Sequence, residues 1–166
     1  MLAVGPNDLD RFFQQHFPIV RAKCARLLGD TEEAADVAQE TFLRFCSSPV
    51  VHEAVPARLK WLYLTGTRLA IDRLRHRKLG VEVPAAEGVE AACRRGGAEQ
   101  VVAARQALGR LAAEMPRAEL EVLVMTRFDR MSQEEVAEVT ATSSRQVRRI
   151  LVRAEQRLGM LGEALK

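Results

Sequence analysis

The chain has 166 residues, enough for one ordinary domain or two small ones. A hydrophobic fraction of 48% supplies packed cores and a charged fraction of 28% a wettable surface, which together exclude global disorder. The net charge is only +3, so any charge-driven binding has to come from local pattern rather than from the total.

Abundant Ala, Leu, Arg and Glu with only six prolines favours an all-α chain. No apolar run approaches the roughly 20 residues of a membrane span, so no membrane insertion is expected. The N-terminus lacks the basic-then-apolar order of a signal peptide. Cys24, Cys46 and Cys93 lie far apart, with no CxxC or Cys/His ligand spacing. Neither a zinc site nor a disulfide framework is implied, and reduced cytoplasmic thiols are the simplest reading.

The first predicted helix starts at Asn7, a capping residue with Asp10 three places on. Leu9, Phe12, Phe13 and Phe17 form its apolar face. Pro18 is expected to bend or break it, and Gly29 to stop it after Leu28. The second helix restarts at once, with Asp30 and Glu33 in a capping-box pattern and acids crowded into its first turns, where the helix dipole favours them. Ala34, Ala38, Thr41, Phe42 and Phe45 make its apolar face. A loop, "CSSPVVHEAVP", leads to a third helix opened by Pro56, with a buried stripe of Leu59, Leu62, Gly66, Leu69 and Ala70.

Residues 79–97 lack a sustained period and hold four glycines and a proline, which predicts a flexible linker between domains 1–78 and 98–166. The second block has a helix through Leu111, another over "MPRAELEVLVMTRF" started by Pro116, and a final pair, "SQEEVAEV" and "SSRQVRRILVRAEQRL". Ser132 with Glu135, and Ser143 with Gln146, fit capping boxes. A short helix, a tight turn and a longer Arg-rich helix make a helix-turn-helix.

Charge is sorted along this order. Asp30, Glu32, Glu33, Asp36 and Glu40 stand together without a base between them. Arg58, Lys60, Arg68, Arg73, Arg75, Arg77 and Lys78 are opposed by Asp72 alone. In the last helix Arg145, Arg148, Arg149, Arg153 and Arg157 face one acid, Glu155. Two cationic helices and one acidic one point to two kinds of partner.

The last helix carries Val147, Ile150, Leu151, Ala154 and Leu158 on one face, with Arg145, Gln146, Arg148, Arg149 and Arg153 largely on the other. Arginine can donate two hydrogen bonds to guanine and glutamine two to adenine, while further arginines suit phosphates. A solvated arginine face on a structural hairpin is the alternative. On the third helix, Trp61 and Tyr63 either stack on exposed bases or anchor the core. Asp36, Gln39 and Glu40 beside the apolar face of the second helix suit a cationic protein partner or a plain solvated surface. No nucleotide-binding or nucleophile motif occurs, and no cofactor or enzymatic activity is expected.

Taken together these pieces resemble the bacterial extracytoplasmic-function sigma factors. "RLLGDTEEAADVAQETFLRF" is similar to the polymerase-binding segment of that family, which runs close to "DAEDLVQETFLR". "WLYLTGTRLAIDRLRHRK" resembles its "WLYRIARNLAIDRLRRR", and "RAELEVLVMTRFDRMSQEEVAEVTATSSRQVRRILVRAEQRL" its helix-turn-helix. The resemblance implies two small helical domains and no catalysis by the chain itself. Asp36, Gln39 and Glu40 would bind core RNA polymerase. Lys60, Trp61, Arg68, Arg73 and Arg75, with the loop at 46–57, would hold the unpaired promoter −10 strand. Ser144, Arg145, Gln146, Arg148, Arg149 and Arg153 would read the −35 duplex. An anti-sigma factor is implied as a further partner.

Two departures from the family pattern stand out: Thr67 and Arg68 replace its "RN", and Ala141 stands where its turn has glycine. The first is expected to alter −10 readout and the second to loosen or reshape the turn. A stand-alone helix-turn-helix regulator, and a non-initiating relative acting by protein sequestration, remain alternatives.

Overall fold

The computed structural model describes residues 5–76, 109 and 111–164. The expected linker at 79–97, most of the helix expected before Leu111, Arg77, Lys78 and Cys93 lie outside the described residues. The described elements are helical, with no strand among them, and form two separately packed units.

The first unit is a three-helix bundle: α1 (Pro6–Leu28), α2 (Thr31–Cys46) and α3 (Val55–His76), with a 3₁₀ turn at Pro49–His52 between the last two. Each helix packs on the other two. α1 begins one residue before Asn7: Gly5 is the N-cap, without a side-chain cap bond, and Pro6 fills the first position, where its missing N–H costs nothing.

Pro18 does not break α1, which runs unbroken to Leu28. A proline inside a helix costs about 3 kcal/mol in isolation. Here Phe12 on one side and Val20, Cys24, Leu27 and Leu28 on the other are buried against the neighbouring helices. At about 1.5–3 kcal/mol per large buried apolar side chain, that burial outweighs the missing backbone bond.

Gly29 ends α1 in the left-handed region (φ 68°), its N–H donating to the Ala25 carbonyl at 2.8 Å. Asp30 then caps α2: its carboxylate accepts from the backbone N–H of Glu32 and Glu33, both at 2.9 Å. The expected apolar face of α2 is buried throughout, and Val37 joins it. Phe42 and Phe45 meet Phe12, Phe13 and Phe17 of α1 in an aromatic cluster, with the Trp61 ring of α3 5.9 Å from Phe45.

In α3 the expected stripe holds at Leu62, Gly66, Leu69 and Ala70. It fails at Leu59, which is 38% exposed, because Arg58 occupies the inward position of that first turn at 9%.

The second unit holds α4 (Arg117–Leu123), a π-helical turn (Val124–Phe128), α5 (Gln133–Thr140) and α6 (Ser144–Ala164). Pro116 occupies the N-cap position of α4. Leu120, Val124, Met125, Val136 and Val147 form the centre of its core. The Ser132–Glu135 capping box is complete: Oγ of Ser132 accepts from Glu135 N–H, and the Glu135 carboxylate accepts from Ser132 N–H. The Ser143 hydroxyl accepts from Gln146 N–H at 3.2 Å and so caps α6.

The turn between α5 and α6 keeps the glycine-type geometry despite Ala141, contrary to the loosening expected. Ala141 adopts φ 53°, ψ 42°. Thr142 N–H donates to Ala137 carbonyl at 2.9 Å and Ala141 N–H to Glu138 carbonyl at 3.4 Å, the paired hydrogen bonds of a Schellman motif. Closing those two carbonyls holds the alanine where only glycine sits without strain.

Candidate interfaces

α2 has one outward ridge. Asp36 and Gln39 are exposed on it, about one helical turn apart. Glu40 is half-buried and accepts from Arg44 at 2.5 Å, an exposed i,i+4 pair. Leu43, seven residues after Asp36, is 70% exposed on the same line and was not among the expected site residues. Its absence from the buried set 34, 38, 41, 42 and 45 was the signal available in the sequence. An acidic ridge with one apolar side chain would complement a cationic surface and repel nucleic acid.

α3 carries a second line. Trp61, Arg68 and Arg75 recur every seven residues, nearly one above another and about 10 Å apart along the axis. Arg68 is exposed, and Trp61 and Arg75 are half-buried. Arg73 is exposed but lies about 140° around the helix from Arg68, so the fold does not bring it to this line. Lys60 is half-buried at the N-terminal end.

The aromatic alternatives divide. Tyr63 belongs to the seam between helices, with Lys23 Nζ of α1 3.8 Å from its ring centroid. Trp61 anchors on Phe45 while keeping part of its surface open. Thr67, one of the two departures from the family pattern, is fully buried and its hydroxyl donates to the Tyr63 carbonyl at 2.7 Å. Of that pair only Arg68 faces outward.

Two of the arginines that made the cationic runs are turned to internal use. Arg58 is buried, its Nε donating to the Glu53 carbonyl at 2.7 Å. Arg157 Nε lies 2.8 Å from Oε2 of Glu119, whose side chain is buried. A buried carboxylate without a cation would be costly, so Arg157 is held by the fold rather than offered to a partner. His76 donates from Nδ1 to the Asp72 carbonyl at 2.6 Å in the last turn of α3, where a basic residue suits the helix dipole.

α6 presents Arg145, Arg149 and Arg153 at i, i+4 and i+8, all exposed, with Gln146 beside them. None of these arginines pairs with an acid among the described residues. Arg148 is exposed on the flank, where it borders a cleft of about 460 Å³ with Met131, Leu151 and Val152. Arg127 and Glu155 form an ion pair at that cleft. Ser144, the first residue of the helix, is half-buried. The inward face is as expected: Val147 and Ala154 are buried, and Ile150, Leu151 and Leu158 half-buried.

Among the described residues no group of His, Cys, Asp and Glu is gathered that could hold a metal, and no helix is long and apolar enough to cross a membrane.

Residues 12–79 match the family model described as Sigma-70 region 2, and residues 105–158 that described as Sigma-70, region 4. These two stretches take in most of the bundle and most of the helix-turn-helix. The chain is also 39% identical, over 70 residues, to ECF RNA polymerase sigma factor SigW of Bacillus subtilis. That match takes in 40% of this chain and 37% of that relative, so the similarity spans well under half of its length.

Proposed function

The chain belongs to the sigma-70 family, in its extracytoplasmic-function branch, and from that premise we propose that it binds core RNA polymerase and directs initiation at promoters with −10 and −35 elements. One observation carries this reading: exposed charge is sorted by helix, acidic on α2 and cationic on α3 and α6. Asp36 and Gln39 would face the polymerase, with Leu43 adding apolar contact and Glu40 a smaller part, since Arg44 already holds it. Trp61, Arg68 and Arg75 would take the unpaired −10 strand by stacking and phosphate contacts. Arg145, Gln146, Arg149 and Arg153 would enter the −35 major groove, with Arg148 reaching a phosphate at its edge.

The chain would act in the cytoplasm and catalyse nothing itself, the polymerase supplying the chemistry. Residues 1–78 and 98–166 would be the two DNA-facing domains, and an anti-sigma factor would be the regulating partner. A stand-alone regulator would leave the α2 ridge without a role. A relative acting only by sequestration would not need the open arginine line on α6.

Run-off transcription with purified core polymerase on the chain's own upstream region tests the proposal. A discrete start site that disappears with Asp36→Arg supports it. Polymerase capture abolished by the same change, with DNA binding retained, locates the docking ridge. No start site on any candidate promoter sinks initiation, and salt-insensitive DNA binding would favour sequestration.

A further inference from the structure

Arg58 is a cation on the inward face of α3, where the turns that follow place Leu62 and Leu69. Burying a guanidinium there costs free energy unless its donors are met, and an aliphatic side chain would fill the space without that cost. What arginine adds is reach. Its Nε donates to the carbonyl of Glu53, in the loop before α3, at 2.7 Å. Its guanidinium carbon lies 5.7 Å from the centroid of the Phe12 ring on α1. One side chain therefore joins the first turn of α3, the end of the preceding loop and the first half of α1.

The rest of that loop is held only lightly. Val51 is its one buried apolar side chain, and short-range bonds close the turn: Val51 N–H to Ser48 carbonyl, Glu53 N–H to Val50 carbonyl, and Val50 N–H to Ser48 Oγ. His52, Glu53 and Ala54 are exposed.

We infer that Arg58 is a positioning residue: it clamps the 47–54 loop to the bundle and so presets the edge that receives the single strand, without touching DNA itself. This rests on the proposed −10 role of the loop. A preset loop gives up less freedom on binding, so the clamp raises affinity without adding a direct interaction.

The test uses the full chain with Arg58→Met, which keeps an unbranched stem, and Arg58→Lys, which keeps the charge but lacks the Nε donor. Amide hydrogen exchange is read at Val50, Val51 and Glu53 against α2 as internal reference. Binding is read with a labelled single-stranded oligonucleotide, about fifteen nucleotides from the non-template strand upstream of the chain's own coding region, across a salt series. Both variants are expected to exchange at least about fivefold faster in the loop, with α2 unchanged, and to bind the strand about tenfold more weakly. The slope of log affinity against log salt should stay as in the wild type, because every phosphate keeps its cation.

A slope shallower by about 0.7 in Arg58→Met would mean that Arg58 holds a phosphate directly, and would overturn the inference. Unchanged loop exchange in both variants would overturn it as well, as would full rescue by lysine, which would assign the effect to charge. If the wild type itself fails to bind the strand, the −10 role of the loop falls. The exchange result then decides by itself whether Arg58 is the clamp.

Discussion

A Cβ placed on Gly66 of α3 would stand 3.3 Å from Cγ1 of Val20 on α1 and 3.6 Å from Oγ1 of Thr41 on α2. The three helices of the first unit close on this point. Gly66→Ala is expected to leave the melting temperature nearly unchanged. The gain in helix propensity, about 1 kcal/mol, offsets the few tenths of an ångström that Val20 must yield. Gly66→Leu has no such room and is expected to cost at least about 2 kcal/mol. A leucine variant as stable as the wild type would contradict this packing.

Ala141 is the place where stability can be gained. A non-glycine residue in the left-handed region costs roughly 1–2 kcal/mol, part of which glycine's greater freedom in the unfolded chain takes back. Ala141→Gly should therefore stabilise the second unit by about 1 kcal/mol, read as a higher melting temperature of its transition. A lower one would mean that the packing of the alanine methyl outweighs the strain.

The register of α3 separates its arginines. Alanine at Arg68 should weaken binding of the single strand severalfold and make the salt slope shallower by about 0.7, the amount expected when one phosphate goes without its cation. Alanine at Arg73, well around the helix, should change neither by more than about a third as much. Equal effects at the two positions would show that the strand does not follow the Trp61–Arg68–Arg75 line.

The thiols should differ in reactivity. Burial pushes the Cys24 thiol up to about 11, partly opposed by neighbouring Lys23. At pH 8 roughly one part in a thousand is then thiolate, and the side chain is fully enclosed. Cys46 is exposed at the end of α2. Alkylation mapped by mass spectrometry should mark Cys46 within minutes and Cys24 only on unfolding. Early labelling of Cys24 would mean that α1 and α3 separate readily.

His16 packs against Phe12, ring centroids 4.4 Å apart, and burial lowers its pKa below the usual 6.5. The unfolded chain therefore takes up a proton there before the folded one does. Its contribution to stability is fully present above pH 6.5 and fades as pH falls through the window below. The drop in melting temperature between pH 7 and pH 5 should be smaller in His16→Gln than in the wild type. An equal drop would assign the acid sensitivity to other groups.

Much of this molecule is decided within a few residues of chain. The stop at Gly29, the Asp30 cap, the Ser132–Glu135 box and the apolar faces of α2 and α6 all follow from groups no more than a few turns apart. The stop, the cap and the box use backbone N–H and carbonyl groups that local spacing alone brings into reach, and the apolar faces follow from helical period. The sorting of acid and base among helices is likewise legible, because helical period and charge sign are both sequence properties.

The fate of individual charges is not. Arg58 and Arg157 look like any other cation in their runs, yet one is buried beside Phe12 and the other is paired with Glu119. Pro18 reads as a break until the burial on both sides of it is seen, and Leu59 reads as core until Arg58 displaces it. For Arg58, Arg157 and Pro18 the deciding neighbour is on another helix or in a preceding loop, and Leu59 follows from where Arg58 is drawn. Which face of a helix stays open to a partner is set by what packs against it, and only the assembled bundle supplies that.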